Sequence, residues 1–316
     1  MMSKYVYGID VGGTSIKIGL FNLESMDIIN DFEVETPKLN HKDSIFKTIY
    51  QGIISNNEIN SISMDDILGV GIDVPCPVKK GYVHTCANLN LNDTDLISSM
   101  KKYLPDHVEL VAANDATIAA FGENASLKKP YDNAVLITLG TGVGGGVILD
   151  GVIVEGATGL GGEVGHIRVY DEEEKVCGCG SKGCLEQICG TAGILNYTKS
   201  LLPDNNSILD KDQLTVKAIF DAAKKGDLVA LKTVHRVAKY IGIAASILSI
   251  INEPDVFIIG GGVSKSGEFL IDLIRMYYKE NARFTTGDIP FKLAMTGNQA
   301  GIIGSAMLVK SVIVNT

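Results

Sequence analysis

The 316-residue chain has no basic excess: 37 acidic residues outnumber 28 lysines and arginines, for a net charge of -9. A nucleic-acid partner is not expected, because phosphate backbones are held by clustered Lys and Arg. A small anionic ligand bound by backbone amides is still compatible with that charge. The chain has no G-x-x-x-x-G-K-[ST] loop, which excludes a P-loop. It has no low-complexity segment. The opening MMSKYVYGID lacks a long apolar h-region, and no stretch reads as long enough to span a membrane, so a soluble cytoplasmic protein without a membrane partner is expected. The six cysteines (Cys76, Cys86, Cys177, Cys179, Cys184 and Cys189) are then expected to be reduced. None of them forms the C-x-x-C of a typical redox pair.

Hydrophobic residues make up 46% and charged residues 21%, enough for a substantial core in two domains or one large one. YVYGID reads as a strand, VGGTS as a glycine turn, and IKIGLFN and IINDFEVET as two further strands. Helical spacing follows in SIFKTIYQGIISNN. ILGVGIDVP and VELVAAN are strands, and DATIAAFGENASL is a helix. The order of strand, glycine turn and strand returns at NAVLITL-GTGVGGG-VILDG, with VIVEG as a possible third strand. LVALKTVHRVAKYIGIAASILSIINE is a long helix, DVFIIGGG a strand running into glycines, FLIDLIRMYYKENA an amphipathic helix and GIIGSAMLVKSVIV a short terminal helix. LPDNNSILDKDQ is the clearest loop. The pattern is two α/β halves, with expected boundaries of 1–114 plus 298–316 for a small domain and 115–297 for a large one.

Gly140-Thr141-Gly142-Val143-Gly144-Gly145 matches G-x-G-x-x-G, but a dinucleotide fingerprint must open a helix and this one opens a strand. Glycine-rich turns between strands still let backbone amides gather around an anion. Gly12, Gly13 and Thr14 form one such turn, Thr141 and Gly142 the other. A tight hairpin explains either turn alone; two in matching halves, one preceded by Asp10, favour phosphate. An aspartate beside a phosphate nest is a natural partner for hydrated Mg²⁺.

Asp115 ends a strand and opens a helix, where a carboxylate anion is favoured. Phosphoryl transfer to a hydroxyl needs such a proton acceptor; the plainer reading of Asp115 is an N-cap. Asn88, in the polar stretch CANLNL, can bond a polyol or simply make a turn. His166, Cys177, Cys179 and Cys184 form a Cys₃His set, the four ligands of a tetrahedral structural zinc. With four protein ligands such a site is closed and does not activate water. Cys189 falls outside the spacing and reads as a core thiol.

GIDVGGTSIKIGL, LGTGVGGGVI and FIIGGGVS resemble the two phosphate motifs and the adenosine motif of the actin/hexokinase-type (ribonuclease H-like) α/β fold. That fold implies two domains with ATP in the cleft between them, and Gly260, Gly261 and Gly262 against the nucleotide. The combination E-x-G-H … C-x-C-G-x-x-G-C-x-E, from Glu163 to Glu186, resembles the ROK family of sugar kinases and repressors over nearly the whole chain.

The resemblance implies that Zn²⁺ fixes His166, whose other ring nitrogen faces the sugar. Glu163, Glu186, Asn88 and Asn114 bind the sugar, and Asp115 deprotonates the attacking hydroxyl. It also implies a homodimer, and the 6-hydroxyl of glucose as acceptor of phosphate from Mg²⁺·ATP. Mannose, allose or N-acetylmannosamine as sugar, and polyphosphate as donor, are the alternatives. A sugar-sensing repressor fits less well, since family repressors carry a helix-turn-helix domain before the first phosphate motif and here Asp10 comes almost at once. Three positions depart from the family pattern: Cys76 for glycine between Pro75 and Pro77, Ala113 for a polar residue, and Thr117 for asparagine.

Overall fold

Alternating apolar residues close the first hairpin, in which β1 (Tyr5–Val11) and β2 (Ser15–Asn22) pair antiparallel with Gly8 opposite Gly19. The computed structural model describes residues 4–38, 43–283 and 288–315. The chain divides into two compact units: Met1–Pro130 with Ile153–Gly161 and Asn298–Thr316, and Tyr131–Val152 with Gly162–Gly297.

In the first unit, β3 (Ile28–Glu35) extends the hairpin and α1 (Asp43–Asn60) follows. β4 (Ile67–Val74) then pairs parallel with β1. A short ladder of β5 (Tyr82–Val83) and β6 (Thr94–Asp95) leads into α2 (Leu96–Lys101). β7 (Glu109–Asn114) pairs parallel with β4 and runs directly into α3 (Asp115–Ala125). The sheet order is β3-β2-β1-β4-β7.

The second unit repeats that plan. β8 (Ala134–Leu139) and β9 (Val143–Leu149) form the second glycine hairpin, and the strand expected at VIVEG is the two-residue β10 (Val152–Ile153). The helices α4 (Leu185–Cys189), α5 (Thr191–Leu201), α6 (Val216–Lys224) and α7 (Leu228–Asn252) precede β11 (Val256–Gly260), which is parallel to β8. After α8 (Glu268–Asn281), β12 (Phe291–Leu293) completes the order β10-β9-β8-β11-β12. The last helix, α9 (Ala300–Asn315), returns to the first unit.

Three expectations change. The boundary lies at Pro130/Tyr131 rather than 114/115, because α3 packs on α9 and stays with the first unit. The terminal helix spans 16 residues and is not short. Against the expectation that no stretch reaches spanning length, α7 and Gly297–Val314 are both long and apolar enough by that test. In α7 this apolar content is core, with Val234, Val237, Ile241 and Ala245 at 0–1% exposure. In α9, Ile302, Ala306 and Val309 pack with Val6 and Phe21. One face of α9 is thereby covered by the sheet, while much of the rest of the helix is partly exposed.

The contact of α9 with the sheet sets how closely this layer packs. A Cβ at Gly8 would strike the carbonyl of Ile302, and one at Gly71 would strike the carbonyl of Ser305. Both obstructions are helix backbone, which cannot rotate away as a side chain can. Gly71→Val is expected to lower stability by about 1–3 kcal/mol through overpacking. Gly13→Ala, at an exposed turn where a Cβ meets nothing within 4 Å, should stay within about 0.5 kcal/mol. Urea unfolding of the two variants measures the contrast, and equal midpoints would show that α9 does not press on the sheet there.

Candidate active site

Parallel registry gathers three carboxyls at one end of the first sheet. Asp10 on β1 lies opposite Asp73 on β4, and Val74 lies opposite Asn114 at the end of β7, one residue before Asp115. Asp10 Oδ2 accepts a 2.9 Å bond from Lys17 Nζ, which also reaches the Asn298 carbonyl at 3.3 Å. Partial burial works against the Lys17 ammonium, but the bond and charge of Asp10 outweigh it and raise its pKa. The turn of Gly12, Gly13 and Thr14 is closed by the Gly12 amide donating to Ser15 O at 2.8 Å. Thr36 ties it to the end of β3: its hydroxyl donates to Gly12 O at 2.7 Å and its amide to Thr14 O at 3.0 Å.

The N-cap of α3 is Asn114, not Asp115. Asn114 Oδ1 accepts from the Thr117 amide at 3.1 Å and the Thr117 hydroxyl at 3.2 Å. Its Nδ2 donates to Asp115 Oδ1 at 3.1 Å and to Cys76 O at 3.2 Å. The Ala116 amide donates to the same Asp115 oxygen at 2.7 Å. Asp115 is thereby oriented by one oxygen and relieved of capping the helix, which removes the plainer reading of its presence.

Asn88 is exposed in a one-turn 3₁₀ segment, Ala87–Leu89, that begins after Cys86. The expectation of six reduced cysteines fails here, because Cys76 and Cys86 form a disulfide with Cα atoms 5.4 Å apart. The rigid Pro75-Cys76-Pro77 turn and the return of the chain after β5 bring together two residues ten apart in sequence, a proximity that compartment arguments do not address. Residues 153–161 support this loop: Lys79 pairs with Glu155 at 3.3 Å, and Gly159 lies against the backbone of Val78.

In the second unit, Gly140, Thr141 and Gly142 join β8 to β9, and Leu139 pairs with Val143. Thr191 holds this turn from the start of α5, its hydroxyl donating to Gly140 O at 2.8 Å. Glu186 Oε2 accepts from the Val143 amide at 3.1 Å, so the acid after the cysteines touches the hairpin directly. A cavity of about 290 Å³ opens beside Gly140 and Gly262, walled by Thr191, Phe220, Val263 and Ser266. Gly260 ends β11, and Gly261 has a φ of 81° at which any Cβ would strike the Leu139 backbone. Only glycine fits there, and its turn brings Gly262 to the cavity.

His166, Cys177, Cys179 and Cys184 place their ligand atoms within 4.8 Å of one another. Cys179 Sγ lies 3.6 Å from Cys184 Sγ, and Cys177 Sγ lies 3.7 Å from His166 Nδ1. Tetrahedral zinc with Zn–S near 2.3 Å separates its ligands by about 3.8 Å, so the set fits that ion. A short bridge holds the cluster, with Arg168 paired to Cys184 and the Leu185 amide donating to Ile167 O at 2.9 Å. Burial, and then the neighbouring thiols, push the Cys184 thiol up to about 12, whereas a backbone bond from Ser181 lowers Cys179. Glu163 begins the 3₁₀ turn Val164–His166. Cys189 is fully buried, its thiol 3.6 Å from Val237 O, as a core thiol should be.

The family model described as ROK family matches residues 6–312. The chain belongs to the ROK family. It is 33% identical to a glucokinase of Halalkalibacterium halodurans over 98% of this chain and 96% of that one. It is 26% identical to an N-acetyl-D-glucosamine kinase of Haemophilus influenzae, covering 96% and 98%. A ROK family glucokinase from Streptomyces griseus, solved with glucose and AMPPNP, is 30% identical with a TM-score of 0.73 and coverage of 97% and 99%. The two sheets of one strand order are those of the actin/hexokinase-type fold.

Three residues near the candidate positions carried no motif: Thr191 and Phe220 in the second unit, and Asp73 in the first. Thr191 and Phe220 lie in helices with no special composition, so nothing in the sequence marked them. Asp73 did leave a signal, as the lone carboxyl in the apolar run ILGVGIDV. It is fully buried, with Oδ2 accepting from Ser305 Oγ at 2.9 Å and Oδ1 lacking a partner among the described residues. Burial, and then the charges of Asp10 and Asp115, raise its pKa well above the carboxylate range.

The folded chain therefore keeps a proton that the unfolded chain releases near pH 4, and Asp73 costs stability as pH rises through and beyond that value. Asp73→Asn mimics the neutral acid. The Tm difference, variant minus parent, is expected to grow as pH is raised from about 5 to 8. A difference independent of pH would show Asp73 to be ionised in the native protein.

Proposed function

We propose that this ROK protein is an ATP-dependent hexose kinase that phosphorylates the 6-hydroxyl of glucose. The observation that carries the reading is Asp115, oriented through one oxygen by Asn114 and the Ala116 amide at the end of a sheet that also presents Asp10 and the first glycine turn. The glucokinase relatives, aligned over almost the full chain, support glucose as the sugar. The N-acetyl-D-glucosamine kinase relative makes N-acetylhexosamines the alternative.

Asp115 takes the proton of the attacking hydroxyl as the oxygen–phosphorus bond forms, and ADP leaves with the electrons of the broken bond. The amides of each glycine turn are preorganised donors for phosphate oxygens and the charge that develops in transfer. Mg²⁺ enters as Mg²⁺·ATP, with Asp10 as the carboxylate beside the first turn. The cavity at Gly140 and Gly262 takes the adenosine: Phe220 and Val263 offer apolar wall to a base. The relative solved with AMPPNP supports ATP as the donor.

The sugar contacts are Glu163, His166 and Glu186 in the second unit and Asn88 and Asn114 in the first. The Cys₃His set of Cys177, Cys179, Cys184 and His166 Nδ1 would hold Zn²⁺, which would leave Nε2 for the sugar. An ion bound there supplies rigidity and no chemistry, because the protein fills all four positions.

Asp115→Asn should lower kcat by about 10²–10⁴ with glucose binding retained. Calorimetry beside a coupled ADP assay separates the two effects, and a variant that lost only binding would remove Asp115 from the role of base. Cys179→Ser should release zinc from the purified protein, measured by metal analysis, and raise the KM for glucose. An unchanged KM in the zinc-free variant would show that the clip does not support the sugar site. A panel of hexoses and N-acetylhexosamines with Mg²⁺·ATP tests the substrate, and faster turnover of any sugar other than glucose would replace it.

A further inference from the structure

Cys76 and Cys86 both lie in the loop that carries Asn88, and the proposed mechanism uses neither. Each is 3–4% exposed, and their Cα separation of 5.4 Å is inside the usual range for a bridge. Each end of the pair is wired to a proposed sugar contact. At one end, the Cys76 carbonyl accepts from Asn114 Nδ2, the same amide that orients Asp115. At the other, Asn88 follows Cys86 by two residues, and the Cys86 carbonyl accepts from the Leu91 amide at 3.3 Å.

Lys80, Asn90 and Asp93 have φ of 50°, 53° and 49°, left-handed values that asparagine and aspartate adopt readily and lysine rarely. His84, Thr85 and Asn88 are exposed, so the bridge lies just beneath a surface segment.

We infer that Cys76 and Cys86 form a reversible thiol–disulfide switch on the sugar loop, with the bridged state the one that holds Asn88 for the sugar. The inference rests on the kinase reading for its effect on turnover, but not for the chemistry of the pair. Two free sulfurs cannot stay at bonding distance: their contact distance exceeds the bond by more than about 1 Å. In a buried site that displacement must move the 76 turn or the 86 turn, and with it left-handed Lys80 between them or Asn90 and Asp93 beyond Cys86.

A low-molecular-weight disulfide closes the bridge in two exchanges. One cysteine thiolate attacks it, forming a mixed disulfide and releasing one thiolate. The second cysteine thiolate attacks the mixed disulfide at the protein sulfur and releases the other. The pair loses two electrons and two protons, and the reagent becomes two thiols. A dithiol reverses both steps.

The test compares the full-length, zinc-loaded protein after oxidised glutathione and after a dithiol. Peptide mapping is expected to find Cys76 linked to Cys86 in the first sample and both free in the second. Reduction should raise the KM for glucose by about three- to thirtyfold, the readout of a displaced Asn88. Cys86→Ser should show the high KM in both conditions.

A bridge that never forms, or one that native protein does not yield to the dithiol, overturns the switch. So does a KM equal in the two states of an active enzyme, or a Cys86→Ser protein that still responds, since the clip cysteines would then be responsible. Absence of turnover with every sugar in both states would refute the kinase reading alone. Amide hydrogen exchange of residues 86–92 then decides the switch: loss of protection on reduction upholds it, and identical exchange overturns it.

Discussion

Parallel pairing of β1, β4 and β7 fixes the positions on which the first unit depends. In a parallel sheet the carboxyl ends of neighbouring strands emerge on one edge, so residues far apart in sequence arrive as neighbours. Asp10, Asp73 and the Asn114–Asp115 pair reach that edge because each stands at or near the last residue of its strand. Helix α9 fixes the arrangement from below, approaching closely enough that Gly8 and Gly71 carry no side chain towards it. Ser305 on that helix meets the Asp73 carboxyl. The cost is a carboxyl buried beside two others, and burial with their charges raises its pKa.

The second unit uses the same strand order for another purpose. Its hairpin turn is held from the outside, by Thr191 and by Glu186, and its β11 turn opens a cavity. The Cys₃His cluster joins the His166 turn to the start of α4. Through Glu186 that brace reaches the hairpin amide of Val143. A structural ion there would stiffen three segments that have little regular structure of their own.

The site shows how composition and pattern divide the work of identification. Motif spacing pointed to Asp10, both glycine turns, Asp115, Glu163 and the Cys₃His set, because each motif calls for a particular residue type at a particular turn. The same reading took Asp115 as a possible helix cap, whereas Asn114 is the cap. The choice between two adjacent residues depends on φ and ψ and not on residue type. Thr191 and Phe220 were silent, since a threonine or phenylalanine in a helix is ordinary until the opposite wall is known.

The sequence by itself determined the two α/β halves and the glycine hairpins, which follow from local periodicity and short spacing, and its motifs resembled those of the family. Tertiary structure alone decided that α3 belongs with α9, that α7 is core despite a length suited to a membrane, that Asp73 meets Ser305 across 232 positions, and that Cys76 reaches Cys86. These depend on long-range packing and on the path of loops. A local pattern specifies which face of an element is apolar, and not what will cover it.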